Sequence, residues 1–175
     1  MVLISTTKKV ETREPQLVDF KALIEIESGS REKKVYDPIS KSLKLHRILP
    51  SPLPSDIHYG LVPNTLSEDG APVDIFVISG RNLVPCEEYD VIPLRMIRAK
   101  DDEGPDDKII AVDKFDEKYK GLNHTDDRLS KICAELFDFV SSSKDNEPNK
   151  WVNVIGFEDV EAANDKILES YLRKQ

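Results

Sequence analysis

Carboxylates crowd this sequence at two turns. The first is Glu68-Asp69-Gly70-Ala71-Pro72-Val73-Asp74 and the second is Asp101-Asp102-Glu103-Gly104-Pro105-Asp106-Asp107-Lys108. An acidic turn on its own is ordinarily a solvated loop. Here each one leads into an apolar strand, so neighbouring strands would bring the two sets together. Converging carboxylates repel one another unless cations lie between them, and hard cations such as Mg²⁺ prefer oxygen ligands and keep water positions open. The basic residues Lys33, Lys34, Arg47, Lys108 and Lys144 are scattered. They are either solvated or paired, or a few of them face the acids and hold phosphate oxygens. Spacing alone does not decide between these. His46, His58 and His124 share no ligand spacing and read as structural or exposed residues rather than metal ligands. Phosphate-loop, dinucleotide, zinc-protease and nucleophile-elbow motifs do not occur.

The elements that would position these groups follow from periodicity. Residues 17–27 and 43–49 alternate apolar and polar, as half-buried strands do. Residues 73–79 (VDIFVIS) are almost continuously apolar, which suits a strand buried on both faces. Further strands are expected over 89–97, 108–112 and 150–155. Short strands separated by turn signals suggest a barrel or closed sheet. The period then becomes helical. Leu129, Ile132, Cys133, Leu136, Phe137 and Val140 form one stripe, with Thr125 as the expected N-cap and Asp126 and Asp127 in the first turn. A second helix is expected from about Glu158, with Val160, Ala163, Ile167 and Tyr171 inward. The class is α+β, organised as an N-terminal tail over residues 1–15 and a single domain over 16–175.

Bulk properties narrow the partners. The 175 residues suffice for one packed domain, and 39% hydrophobic with 33% charged residues marks a globular chain. A net charge of -8 disfavours nucleic-acid backbones and anionic membranes, and 7% aromatic residues disfavour base stacking. Cys86 and Cys133 stand alone and read as reduced, packing cysteines. No apolar run approaches the roughly 20 residues of a membrane span. An intracellular setting is expected, cytoplasmic or organellar, the mitochondrion included.

The run Tyr59-Gly60-Leu61-Val62-Pro63-Asn64-Thr65-Leu66, continuing through the first acidic turn to Asp74, closely resembles the signature of the soluble inorganic pyrophosphatases. The resemblance continues in order through Ile24-Glu25-Ile26, Leu45-His46-Arg47, the second acidic turn with Ile109-Ile110-Ala111-Val112, and Lys144-Asp145 followed by Lys150-Trp151-Val152. It implies a five-stranded OB-like β-barrel with flanking helices, usually assembled into homo-oligomers. It also implies a site in which Mg²⁺ ions gather pyrophosphate and an attacking water. On that resemblance Asp69, Asp74, Asp101 and Asp106 match metal ligands. Lys33, Arg47 and Lys144 match phosphate-binding cations, and Tyr59 matches the tyrosine near the attacking water. Glu25, Asp102 and Lys108 match supporting positions.

Five positions depart from the family pattern. Ala71 stands where an aspartate accepts the proton of the attacking water, and Val35 stands where an acid follows the lysine. Ser143 and Ser55 replace tyrosines, and Asp102 replaces a glutamate. Loss of a general base commonly costs a factor on the order of 10² to 10⁴. Two readings follow. In the first, hydrolysis is weak or lost, and the chain binds Mg²⁺ with pyrophosphate or phosphate while serving as an interaction or structural subunit. The alternative is an active Mg²⁺-dependent enzyme with a rearranged site, in which Asp102, Glu68 or a metal-activated water makes up for the missing base.

Overall fold

The computed structural model describes residues 20–175; the expected tail, residues 1–15, lies outside the described residues. In chain order the elements are β1 (Phe20–Ile26), β2 (Glu32–Asp37), β3 (Ser42–Ile48), β4 (Ile57–Val62), β5 (Val73–Ile78) and β6 (Glu88–Asp101). After them come β7 (Gly104–Pro105), β8 (Lys108–Asp113), α1 (Asp127–Ser141), β9 (Val152–Glu158) and α2 (Val160–Lys174).

The continuous apolar run of β5 has a structural reason. Phe76 and Ile78 pack into a core shared with Leu129, Cys133, Leu136 and Val140 of α1. Ile75 and Val77 pack into a second core with Ala163 and Ile167 of α2. Successive side chains of a strand point to opposite faces, so a strand with a core on each face must be apolar throughout. Each large side chain buried there contributes about 1.5–3 kcal/mol.

Five strands close on themselves. The order β1-β4-β5-β8-β6 is completed by a β1–β6 pairing, and only β5 and β8 run parallel. This is the OB-like ring with two helices that the motifs implied. β7 and β9 extend the long β6, and β2 and β3 form a separate hairpin. Parallel pairing places Asp74 directly opposite Lys108 at the starts of β5 and β8, so the two acidic turns converge because the strands they feed are neighbours. Gly60 allows a close approach in the ring, since a Cβ there would lie 1.9 Å from the Leu23 carbonyl oxygen.

Several boundaries differ from expectation. The N-cap of α1 is Asp126, whose carboxylate accepts from the Arg128 N–H, while Thr125 bonds instead to Asn123. Helix α2 begins at Val160 because Asp159 caps it, accepting from the Ala162 N–H, and β9 continues through Glu158. Phe137, expected on the buried stripe of α1, is exposed. Lys33 and Lys34 lie on β2, a strand that periodicity did not indicate. Cys86 and Cys133 are unpaired. His58 is buried and structural, its Nδ1 accepting from the Ser28 N–H and its Nε2 lying 3.3 Å from the Ser79 carbonyl.

Candidate active site

A cleft of about 730 Å³ opens over one end of the ring. Its floor is built by β5 and β8. Lys108 Nζ lies 3.0 Å from both Asp74 and Asp106 and is almost fully buried. Burial alone would depress the lysine, but Asp74, Tyr59 and Asp106 outweigh it and hold Lys108 firmly protonated. Burial also raises Asp74, yet Lys108, the Tyr59 hydroxyl and Lys33 keep that carboxyl below the usual range. Asp106 goes the other way, raised by burial and by the charge of Asp74 against the pull of Lys108. One ammonium is thus shared by two carboxylates that cannot both be fully neutralised by it. Tyr59 is pushed well above its usual value by burial and then by Asp74. Its ring stacks edge-on against Phe76 at 5.2 Å, which fixes the hydroxyl toward Asp74.

Glu25, on β1, adds a second electrostatic tension. Burial, then the charge of Asp74, lifts its carboxyl to about 7, against a smaller opposing pull from Lys33. Lys33 itself is lowered by burial and by the neighbouring cations Lys108 and Arg47.

The second acidic turn meets the loop after α1. Lys144 Nζ bonds Asp101 at 2.7 Å and Asp102 at 3.1 Å. Asp101 also accepts from the Glu103 and Gly104 N–H groups, which ties the turn. Arg47, from β3, donates to the Ser143 carbonyl at 3.0 Å and lies 3.0 Å from Glu147. Its guanidinium plane is thereby fixed with one edge committed to protein. Behind these cations a cavity of about 60 Å³ runs toward Leu49, Phe76 and Phe139, with Ser143 on its wall. The Ser143 hydroxyl is turned away, donating to the Val140 carbonyl at 2.7 Å.

The structure brings Glu25, Lys33, Arg47, Tyr59, Asp69, Ala71, Asp74, Asp101, Asp106, Lys108 and Lys144 to this one cleft. Asp102 does not line it, being held by Lys144 and the Trp151 N–H. Ser55 lies on a different surface, beside Tyr119 and Glu135. Asp69 is exposed and accepts from the Ala71 N–H at 3.0 Å, closing its own turn. Among the described residues, no three His, Cys, Asp or Glu side chains are gathered tightly enough to cage an ion. The carboxylates are instead held apart on lysines. Glu147 and Lys150 also face the cleft, and sequence reasoning passed over the first of these. Its only signal was its position three residues after Lys144, in an irregular loop.

A family model described as inorganic pyrophosphatase matches residues 22–175. The chain belongs to the inorganic pyrophosphatase family. It is 34% identical to the inorganic pyrophosphatase of Saccharolobus solfataricus over 159 residues, covering 90% of this chain and 92% of that protein. The solved pyrophosphatase of Coxiella burnetii superposes with a TM-score of 0.84 at 33% identity, covering 91% of this chain and 96% of that one. That of Helicobacter pylori gives 0.84 at 30% identity, covering 96% and 99%. Membership accounts for the ring and for the convergence of the acidic turns.

Proposed function

We propose that this cleft hydrolyses inorganic pyrophosphate to two phosphates with Mg²⁺, at a rate limited by a missing proton acceptor. The observation that supports it most is the floor, where Asp74 and Asp106 share the Lys108 ammonium beside Tyr59, with four further cations, Lys33, Arg47, Lys144 and Lys150, lining the same cleft. The donor set fits a hard divalent ion. Asp69, Asp74, Asp101 and Asp106 are all carboxylates, and two of them are already arranged around a positive charge. When bound there, Mg²⁺ neutralises phosphoryl charge and acidifies water.

The remaining work falls to this chain's own groups. Lys33, Arg47 and Lys144 bind and orient phosphate oxygens, with Arg47 held in plane by Glu147 and the Ser143 carbonyl. Tyr59 donates to Asp74 and fixes that carboxylate. At position 71 a methyl group replaces any acceptor for the water's proton. Asp102 cannot stand in, because Lys144 and the Trp151 N–H occupy it outside the cleft. Glu68 is better placed, since it is exposed and shares a small adjoining pocket with Asp69, Asp74 and Asp106. We take residues 16–175 as the working domain, acting inside the cell as a homo-oligomer or as a subunit of a larger assembly. No described helix is long and apolar enough to cross a membrane.

The apolar side chains of Ala71 and Val35 favour a second reading, a subunit that binds Mg²⁺ and pyrophosphate or phosphate without turning it over. Phosphate release from pyrophosphate by the purified protein, with Mg²⁺ and with EDTA, separates the two. Slow release abolished by EDTA is expected. No release at any Mg²⁺ concentration, with pyrophosphate still bound, would establish the non-catalytic reading.

A further inference from the structure

The cleft changes character from floor to wall. Strand alternation turns Leu23 and Glu25 of β1, and Tyr59 and Leu61 of β4, toward it. Glu25 and Tyr59 are buried on the polar floor, whereas Leu23 and Leu61, paired in register, remain half-buried. Val35 of β2, 44% exposed, faces the same cleft, as do Ala71 and Pro63 from the two sides of the β4–β5 turn. The cleft therefore carries an apolar patch alongside Lys33, Arg47 and Lys144, with Glu88, paired in register to Leu23, at its edge.

Two of its members, Val35 and Ala71, stand where the resemblance calls for acids. Without those carboxylates the cleft can neutralise less phosphate charge through bound cations. It also gains surface that water solvates poorly. Its volume falls within the range of about 300–1,000 Å³ typical of organic-ligand sites.

We infer that the cleft takes monoesters of diphosphate whose alcohol carries an apolar group. The diphosphate lies against Lys33, Arg47 and Lys144, and the apolar group lies along Leu23, Val35, Leu61 and Ala71. Such an ester bears less negative charge than inorganic pyrophosphate, matching the reduced complement of acids. The inference rests on the pyrophosphatase reading of the floor and adds the ligand class that its wall would select.

The test uses the full chain with Mg²⁺ and two probes. Imidodiphosphate, a non-hydrolysable inorganic analogue, is titrated calorimetrically, and isopentenyl diphosphate is then used to displace it. Displacement at a concentration within about tenfold of the imidodiphosphate affinity is expected. In Val35→Glu and in Ala71→Asp, affinity for the ester relative to imidodiphosphate should fall about fivefold or more, as expected for placing a charge where methylene groups had packed. Val35 is exposed on the hairpin, so its variant should fold, which a melting curve checks. If imidodiphosphate binds but the ester fails to displace it, or if neither variant moves the ratio, the inference is overturned and the floor reading stands. If imidodiphosphate itself fails to bind, both fall together.

Discussion

The floor and the wall of the cleft are made by different parts of the chain, and they differ in how their side chains are held. The floor, at the starts of β5 and β8, holds Asp74 and Asp106 together on the shared Lys108 ammonium. The wall carries Val35, from β2, and Ala71, from the β4–β5 turn, at positions exposed to solvent. The difference teaches that charge on the floor is tied to folding, whereas charge on the wall is not. Removing one member of a buried, mutually compensating set leaves the others unpaired in a low dielectric. Removing an exposed carboxylate costs the fold almost nothing. Change in function can therefore accumulate on the wall while the floor resists it.

Lys108→Met should break the floor most severely. Two carboxylates would lose their shared cation, and the expected destabilisation is about 3–5 kcal/mol, read from urea unfolding. A loss under about 1 kcal/mol would mean that the floor is not electrostatically bound to the fold.

Glu25 offers a smaller and pH-resolved test. Its carboxyl titrates at about 7 in the folded chain against 4.5 for an ordinary glutamate. The fold holds the extra proton between those values. Its favourable contribution is complete below pH 4.5 and is lost as pH rises toward 7. In EDTA, stability should fall across that window by up to about 3 kcal/mol, and Glu25→Gln should flatten the fall. An unchanged pH profile in the variant would assign the titration to another group.

Ser143→Tyr is expected to have the smallest effect. A phenol could enter the cavity beside Leu49 and Phe139 and present a hydroxyl to phosphate. Such a donor is worth about 1–1.5 kcal/mol, so KM for pyrophosphate should fall severalfold with little change in kcat. A rise in KM would indicate that the ring is excluded.

How much of this was legible in the sequence varied with the signal. β5 was readable because a strand with a core on both faces must be apolar throughout, and α1 because its stripe spans four turns. β2 was not, because its Lys33, Lys34 and Val35 are half-exposed on a hairpin outside the ring, where neither face is buried enough to impose alternation. β4 was hidden by Gly60, a residue that signals a turn but here serves a close backbone approach. The acidic turns could be recognised as a site, but their convergence depends on the parallel β5–β8 pairing, a long-range contact that spacing does not encode. Likewise, Ser55 could be counted as a change in the site from its distance to Tyr59. Only the fold shows it on another surface.

The central claim is that the floor is competent and the wall lacks its proton acceptor. The direct measurement is kcat for Mg²⁺-pyrophosphate hydrolysis by the natural chain and by Ala71→Asp under identical conditions. A gain on the order of 10² to 10⁴ in the variant is predicted. An equal or lower kcat in Ala71→Asp, with the natural chain already turning over rapidly, would contradict the account.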